Sequence, residues 1–117
     1  MKTGKEKNII VGKAFIMFLK ANNALIPYKR AIYHTKNHSR FDYYLRILKD
    51  KDEMMNETWR RFIFNAFIWG DTIECRRKPL YWSDLHSKWI GILEQLIYDD
   101  YEISKVIPRI IITSRQN

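Results

Sequence analysis

The sequence is poor in three residue types that organise many folds and sites. It has one cysteine, four glycines and three prolines in 117 residues. Because Cys75 is alone, no disulfide can form within the chain, and a reducing compartment is expected. Few glycines and prolines argue against a turn-rich all-β architecture. The scattered glycines also exclude a local phosphate-binding glycine loop, a dinucleotide fingerprint and a hydrolase nucleophile elbow.

Long hydrophobic runs are lacking as well. The longest candidates, residues 14–19 and 62–69, fall well short of the roughly 18 apolar residues that a membrane helix needs. The basic first residues lead into a poor hydrophobic region with no evident cleavage site, so we expect no signal peptide. The sequence therefore predicts a soluble protein in the cytoplasm, without a membrane partner.

The chain has enough apolar and aromatic side chains to form a folded core. Apolar residues make up 46% of the sequence and aromatic residues 15%, which a disordered chain would not carry. Its length fits one domain. We therefore expect a basic, flexible tail over residues 1–8 and a single helical domain over residues 9–117.

The net charge of +8 is unevenly distributed. Residues 1–49 contain eleven Lys and Arg against two carboxylates, whereas residues 50–75 contain three against six. Such asymmetry is typical of a basic surface that attracts a polyanion or an acidic protein, and the alternative is a solvated surface that only aids solubility.

The spacing of apolar residues predicts a mainly α, compact bundle of about four to five helices. The expected helices begin at Val11, near Pro27, at Ser39, near Trp59 and at Pro79. Residues 49–53 and 71–78 are expected to connect them. The β-prone segments 9–11 and 110–112 leave two alternatives open, a short terminal strand pair or extended chain that packs on the bundle.

No constellation of residues predicts catalysis or metal binding. His34 and His38 have a spacing that can hold Zn²⁺, but no further ligands accompany them. Cys75 precedes a cationic run that favours thiol reactivity, yet no pattern places His86 beside it as a base. We therefore expect no catalytic residue, no metal and no cofactor.

Basic residues interleaved with tyrosines are the strongest signal for binding. Their cations can neutralise phosphates or carboxylates, and a tyrosine can stack on a base. A second cationic run lies just before Pro79. Together the predicted binding residues are Lys20, Tyr28, Lys29, Arg30, Tyr33, Lys36, Arg40, Tyr43, Arg46, Arg76, Arg77 and Lys78.

A tryptophan-rich stretch spans residues 66–74 and 81–89. It resembles a pattern in small bacteriophage and prophage proteins, where a helix ends in Phe-x-Trp-x-x-Thr, a Glu-Gly turn follows, and Tyr-Trp opens the next helix. Cys75 stands where that pattern has Gly, and the connection is longer here. The residues that form this corner, as a hydrophobic anchor of the fold or as an exposed recognition surface, are Trp69, Thr72, Glu74, Tyr81, Trp82 and Trp89.

The resemblance implies a helical fold and a phage-type accessory role. Combined with the one-sided charge, it predicts a non-enzymatic protein that binds and inhibits or redirects a host macromolecule, for example an acidic defence or regulatory protein. The alternative is a nucleic-acid-binding protein that uses the basic, tyrosine-containing N-terminal half. A small enzyme or nucleotide-signal binder is a third hypothesis.

Overall fold

A computed structural model of the chain describes residues 2–33, 35, 38–50 and 72–115. Within these ranges the backbone forms six α-helices and no strand, which confirms the mainly α prediction. The helices are α1 (Gly4–Ala21), α2 (Leu25–Ile32), α3 (His38–Asp50), α4 (Ile73–Arg77), α5 (Pro79–Tyr98) and α6 (Ile103–Arg115). The helix expected near Trp59 lies outside the described residues, so the single-domain assignment stays a prediction.

Helix α1 begins earlier than the sequence suggested. Thr3 caps it, because the Thr3 Oγ1 accepts a hydrogen bond from the Glu6 backbone N–H at 3.1 Å. Residues 4–8, expected in a flexible tail, are therefore helical. Residues 9–11 are helical too, which corrects the strand alternative: Val11 is fully buried on the same face as Phe15, and this packing outweighs β-branched propensity.

A sharp corner separates α1 from α2. Asn23 adopts a left-handed conformation (φ 54°), which asparagine tolerates better than most residues. The Ala24 N–H then donates to the Leu19 carbonyl at 2.7 Å and closes the end of α1. Helix α1 thus ends at Ala21, with Asn22 as its C-terminal cap, and α2 starts two residues before Pro27.

Helix α5 follows the predicted pattern closely. Pro79 occupies its first turn, and its apolar stripe is buried: Trp82, Leu85, Trp89, Ile92, Leu93 and Leu96. Residues 71–78 were expected to be a polar connection, but Thr72 caps the short helix α4 through a 3.2 Å bond from the Cys75 N–H. A short helix, rather than an irregular loop, therefore leads directly into α5.

Helix α6 overturns the prediction that residues 110–112 form a strand or extended chain. Val106 and Ile110, four residues apart, are both buried and pack α6 against α1 and α5. Pro108 lies inside the helix and removes one backbone donor. Burial of the apolar stripe is the reason that these β-prone residues remain helical.

Aromatic contacts join α1 to α5 in the core. The Phe15 and Phe18 rings lie 4.9 Å and 5.7 Å from the Trp89 ring. The start of α1 lies near the end of α5, because the Lys7 ammonium is 5.1 Å from the ring centre of Tyr101, just beyond that end. The two helices therefore form the centre of the bundle, on which the other elements pack.

No single described helix has the length and hydropathy needed to cross a membrane. Segments Glu6–Ala21 and Leu25–Ile32 reach those values only as a pair, and the chain bends by 110° between them.

Candidate binding face

Helix α2 is held against α3 and α5 by one buried tyrosine. The Tyr28 ring lies 5.3 Å from the Phe41 ring of α3 and 6.4 Å from the Trp82 ring of α5. An ion pair adds to this, since the Lys29 Nζ is 3.3 Å from an Asp42 carboxylate oxygen. Helix α2 also packs on α4. Helix α2 therefore adjoins α3, α4 and the first turns of α5.

The outer side of α2 and α3 carries matching residue pairs. Arg30 on α2 and Tyr33, which directly follows this helix, are three residues apart and both exposed, and so are Tyr43 and Arg46 on α3. Ile26, one turn before Arg30, is 64% exposed. An apolar side chain thus lies on the same exposed side of α2 as Arg30.

Helix α4 adds further cations next to α2. Ile73, Arg76 and Arg77 share its exposed side, while Cys75 points inward and is buried. Lys78 follows directly and is exposed. The burial of Cys75 fixes which side of this short helix faces water, and that side is the cationic one.

We call the exposed cations of these three helices and of Lys78 the basic face. Its members are Arg30, Arg46, Arg76, Arg77 and Lys78. Within the described part of the chain, Arg30, Arg46 and Arg77 make no ion pair, whereas Lys29 forms an ion pair with Asp42. Unneutralised cations on adjoining elements generate a positive potential that attracts acidic surfaces.

Tyr81 marks the point where the basic face meets α5. The Lys78 ammonium lies 5.7 Å from the Tyr81 ring centre, and the Tyr81 and Trp82 rings meet edge to face at 5.0 Å. Burial, and then the Glu74 carboxylate, raise the pKa of the Tyr81 hydroxyl. The neutral phenol is therefore favoured, with its aromatic ring partly accessible.

Tyr28 is the clearest correction to the predicted binding residues. It is fully buried, and burial raises the pKa of its phenol far above the usual range. Its ring packs against Phe15 at 5.3 Å and cannot stack on a ligand. Trp82 and Trp89 are likewise buried, so these two tryptophans anchor the fold and the recognition alternative is wrong for them.

The remaining predicted residues are only partly placed by the structure. Lys20 is exposed in the last turn of α1. Lys36, Trp69 and the side chain of Arg40 lie outside the described residues. Thr72 has a structural role as the cap of α4, and the Glu74 carboxylate acts on the Tyr81 hydroxyl.

The surroundings of His38 bear on the metal site that the sequence analysis rejected. His38 Nε2 lies 3.3 Å from an Asp42 oxygen, and its ring packs 4.7 Å from that of Tyr33. Among the residues that the structure describes, no three His, Cys, Asp or Glu side chains could hold a metal ion together. His34 is outside those residues.

Sequence reasoning missed the exposed apolar residues. Ile26, Ile73 and Leu80 were assigned no role, although each lies beside cations of the basic face. A signal was present for Leu80, which lies two residues before Trp82 and so falls off the buried stripe of α5. Comparison with protein-family models, curated proteins and solved structures finds no match for this chain.

Proposed function

We propose that this chain is a non-enzymatic binding protein that docks on an acidic protein surface through its basic face. The resemblance to phage accessory proteins makes a host macromolecule in the cytoplasm the expected partner, which would be inhibited or redirected. No residue is assigned a catalytic role, and no cofactor is invoked.

One observation carries the proposal. Exposed cations lie on three helices, of which α2 contacts the other two, and one of them, Arg30, lies one turn after Ile26, an apolar side chain that is 64% exposed. Protein interfaces combine an apolar centre with a polar rim, and charge complementarity speeds the encounter of the partners. A surface that served solubility alone would gain nothing from an exposed isoleucine at this place.

The test compares the proteins captured by wild type with those captured by two variants that have the same net charge as each other. Arg30→Gln/Arg46→Gln neutralises two cations of the basic face. Lys105→Glu makes the same change in net charge at an exposed position of α6. Tagged wild-type and variant proteins are incubated with nuclease-treated bacterial lysate at low and moderate salt, and bound proteins are identified by mass spectrometry. We expect the double variant to lose the protein that wild type and Lys105→Glu retain.

Two results would contradict the proposal. One is a lysate in which wild type retains no protein at either salt concentration. The other is equal capture by wild type and Arg30→Gln/Arg46→Gln, which would mean that the basic face does not contact the partner.

Nucleic-acid binding is the second candidate, and the pairs Arg30–Tyr33 and Tyr43–Arg46 favour it. Each places an exposed ring next to a cation, the combination that binds phosphates and stacks on unpaired bases. Fluorescence anisotropy with labelled single-stranded DNA and RNA tests this. Affinity should fall steeply with salt and drop in Tyr33→Ala/Tyr43→Ala; failure of both oligonucleotides to bind at about 50 mM salt excludes it.

A further inference from the structure

Three exposed apolar residues lie close together in the chain where α4 joins α5. Ile73 is 68% exposed and Leu80 is 84% exposed, and Tyr81 beside them is more than one-third exposed. We call these three residues the apolar corner. Single exposed apolar residues are common on proteins, but a group within nine residues of chain marks a candidate contact surface.

The fold does not need these side chains where they are. Leu85, Leu93 and Leu96 of the same helix are buried on its stripe, while Leu80 lies off that stripe. On α4 the inward position is taken by Cys75, which leaves Ile73 outside. A polar residue at position 73 or 80 would keep the helices and remove apolar area from water contact.

The charge around the apolar corner points to the chemistry of its partner. Arg76, Arg77 and Lys78 lie between Ile73 and Leu80 in the chain and are exposed like them. The first turn of α5 has no acidic residue, so its positive helix end adds to these cations. An occupant of this surface therefore needs carboxylates next to apolar side chains.

We propose that the apolar corner anchors an acidic amphipathic segment of a partner protein. Aliphatic side chains of that segment pack on Ile73 and Leu80, and its carboxylates pair with Arg77 and Lys78. This inference relies on the proposed function for the sign of the partner's charge, and it adds the kind of segment that is recognised.

Three probes separate apolar anchoring from charge alone. The first is a labelled, capped peptide with leucines at helical spacing among glutamates. The second replaces each of its leucines by serine at the same charge, and the third is a single-stranded oligonucleotide. Fluorescence anisotropy at low and moderate salt gives the affinity of each for the full chain. We expect the leucine peptide to bind about tenfold more tightly than the serine peptide.

Variants locate the binding site. Ile73→Ser/Leu80→Ser should reduce affinity for the leucine peptide to that for the serine peptide, and leave the serine peptide unaffected. The matched control is Ile97→Ser/Ile111→Ser, which alters two isoleucines that are each 45% exposed on α5 and α6. Circular dichroism melting verifies that the variants fold, and Leu80→Ser alone replaces the double variant if its melting temperature falls.

Each other outcome overturns the inference in a recognisable way. Equal affinity of wild type for the two peptides means that charge alone binds, so that the proposed function stands and the apolar corner has no part in it. Tighter binding of the oligonucleotide, unchanged in Ile73→Ser/Leu80→Ser, means that the chain prefers nucleic acid and that the apolar corner has no part in its binding. Binding of none of the probes contradicts the proposed function as well.

Discussion

The charged residues at the two ends of α5 differ in their contacts. At the C-terminal end Glu102 pairs with Lys2 at 3.8 Å, and Tyr101 lies under the Lys7 ammonium. At the N-terminal end the cations of α4 protrude into solvent, and Arg77 makes no ion pair with any residue that the structure describes. The first set of charges ties the start of α1 to the bundle, whereas Arg77 at the other end is exposed to solvent.

The C-terminal turn also shows how that end is held. Asp100 and Tyr101 are both in the left-handed region (φ 51° and 63°), which is unfavourable for residues with a side chain. The Tyr101 N–H donates to the Leu96 carbonyl at 2.7 Å, which closes α5 and offsets this cost. Local bonding at this end serves the fold, and the proposed binding surface lies at the other end of α5.

The largest effect should come from the core that connects the two ends. Trp89 is fully buried and contacts Phe15 and Phe18 of α1. We expect Trp89→Ala to lower the free energy of unfolding by about 3–5 kcal/mol, because it removes a large apolar contact and leaves a cavity. Denaturant unfolding measures this, with Ile97→Ser at the half-exposed side of α5 as control. A loss below about 1 kcal/mol would mean that Trp89 does not join α1 to α5.

The position of Tyr28 beneath the basic face can be tested by pH. Because burial raises its pKa in the folded state, the neutral phenol stabilises the fold fully below the unfolded pKa of about 10, and this stability is lost as pH rises beyond it. We expect the free energy of unfolding to fall by about 1.4 kcal/mol per pH unit above that point, and less steeply in Tyr28→Phe. Identical slopes in the two proteins would place Tyr28 on the exposed side.

A pair of threonine caps compares the two ends directly. Thr3 caps α1 near the C-terminal end of α5, and Thr72 caps α4 near the N-terminal end of α5. Replacing either by alanine should cost about 1 kcal/mol of stability. Only Thr72→Ala should also weaken binding of the leucine peptide, since α4 carries Ile73 and the cations. Equal affinities of Thr3→Ala and Thr72→Ala for that peptide would remove the distinction between the ends.

The smallest effect concerns the contact between α5 and α6. A Cβ at Gly91 would lie 2.9 Å from the Arg109 Nη2, the far end of a flexible side chain that also donates to Gln95 at 3.4 Å. Alanine favours the helix by about 1 kcal/mol over glycine, so Gly91→Ala should raise stability slightly once Arg109 shifts. Thermal melting measures the change. A clear loss of stability would mean that Arg109 cannot move and that α6 is held rigidly at this crossing.

Sequence periodicity predicted the best-defined part of the fold and some of the face. The spacing of Trp82, Leu85 and Trp89 and the position of Pro79 sufficed for α5, because a helix repeats its buried face every three to four residues. The cations Arg30, Arg46 and Arg77 were also named correctly as exposed candidates, since charged residues are rarely buried without a partner. Local signals of this kind need no knowledge of neighbouring elements.

The sequence by itself determined that the chain is helical and rich in surface cations. Only the tertiary structure decided that residues 9–11 and 103–112 are helical, that Tyr28 is inside, and that Ile73 and Leu80 are outside. The physical reason is that β-branched residues and tyrosine have weak local preferences. Their conformation and burial depend on the area that distant elements remove from water, and this is known only once the helices are packed.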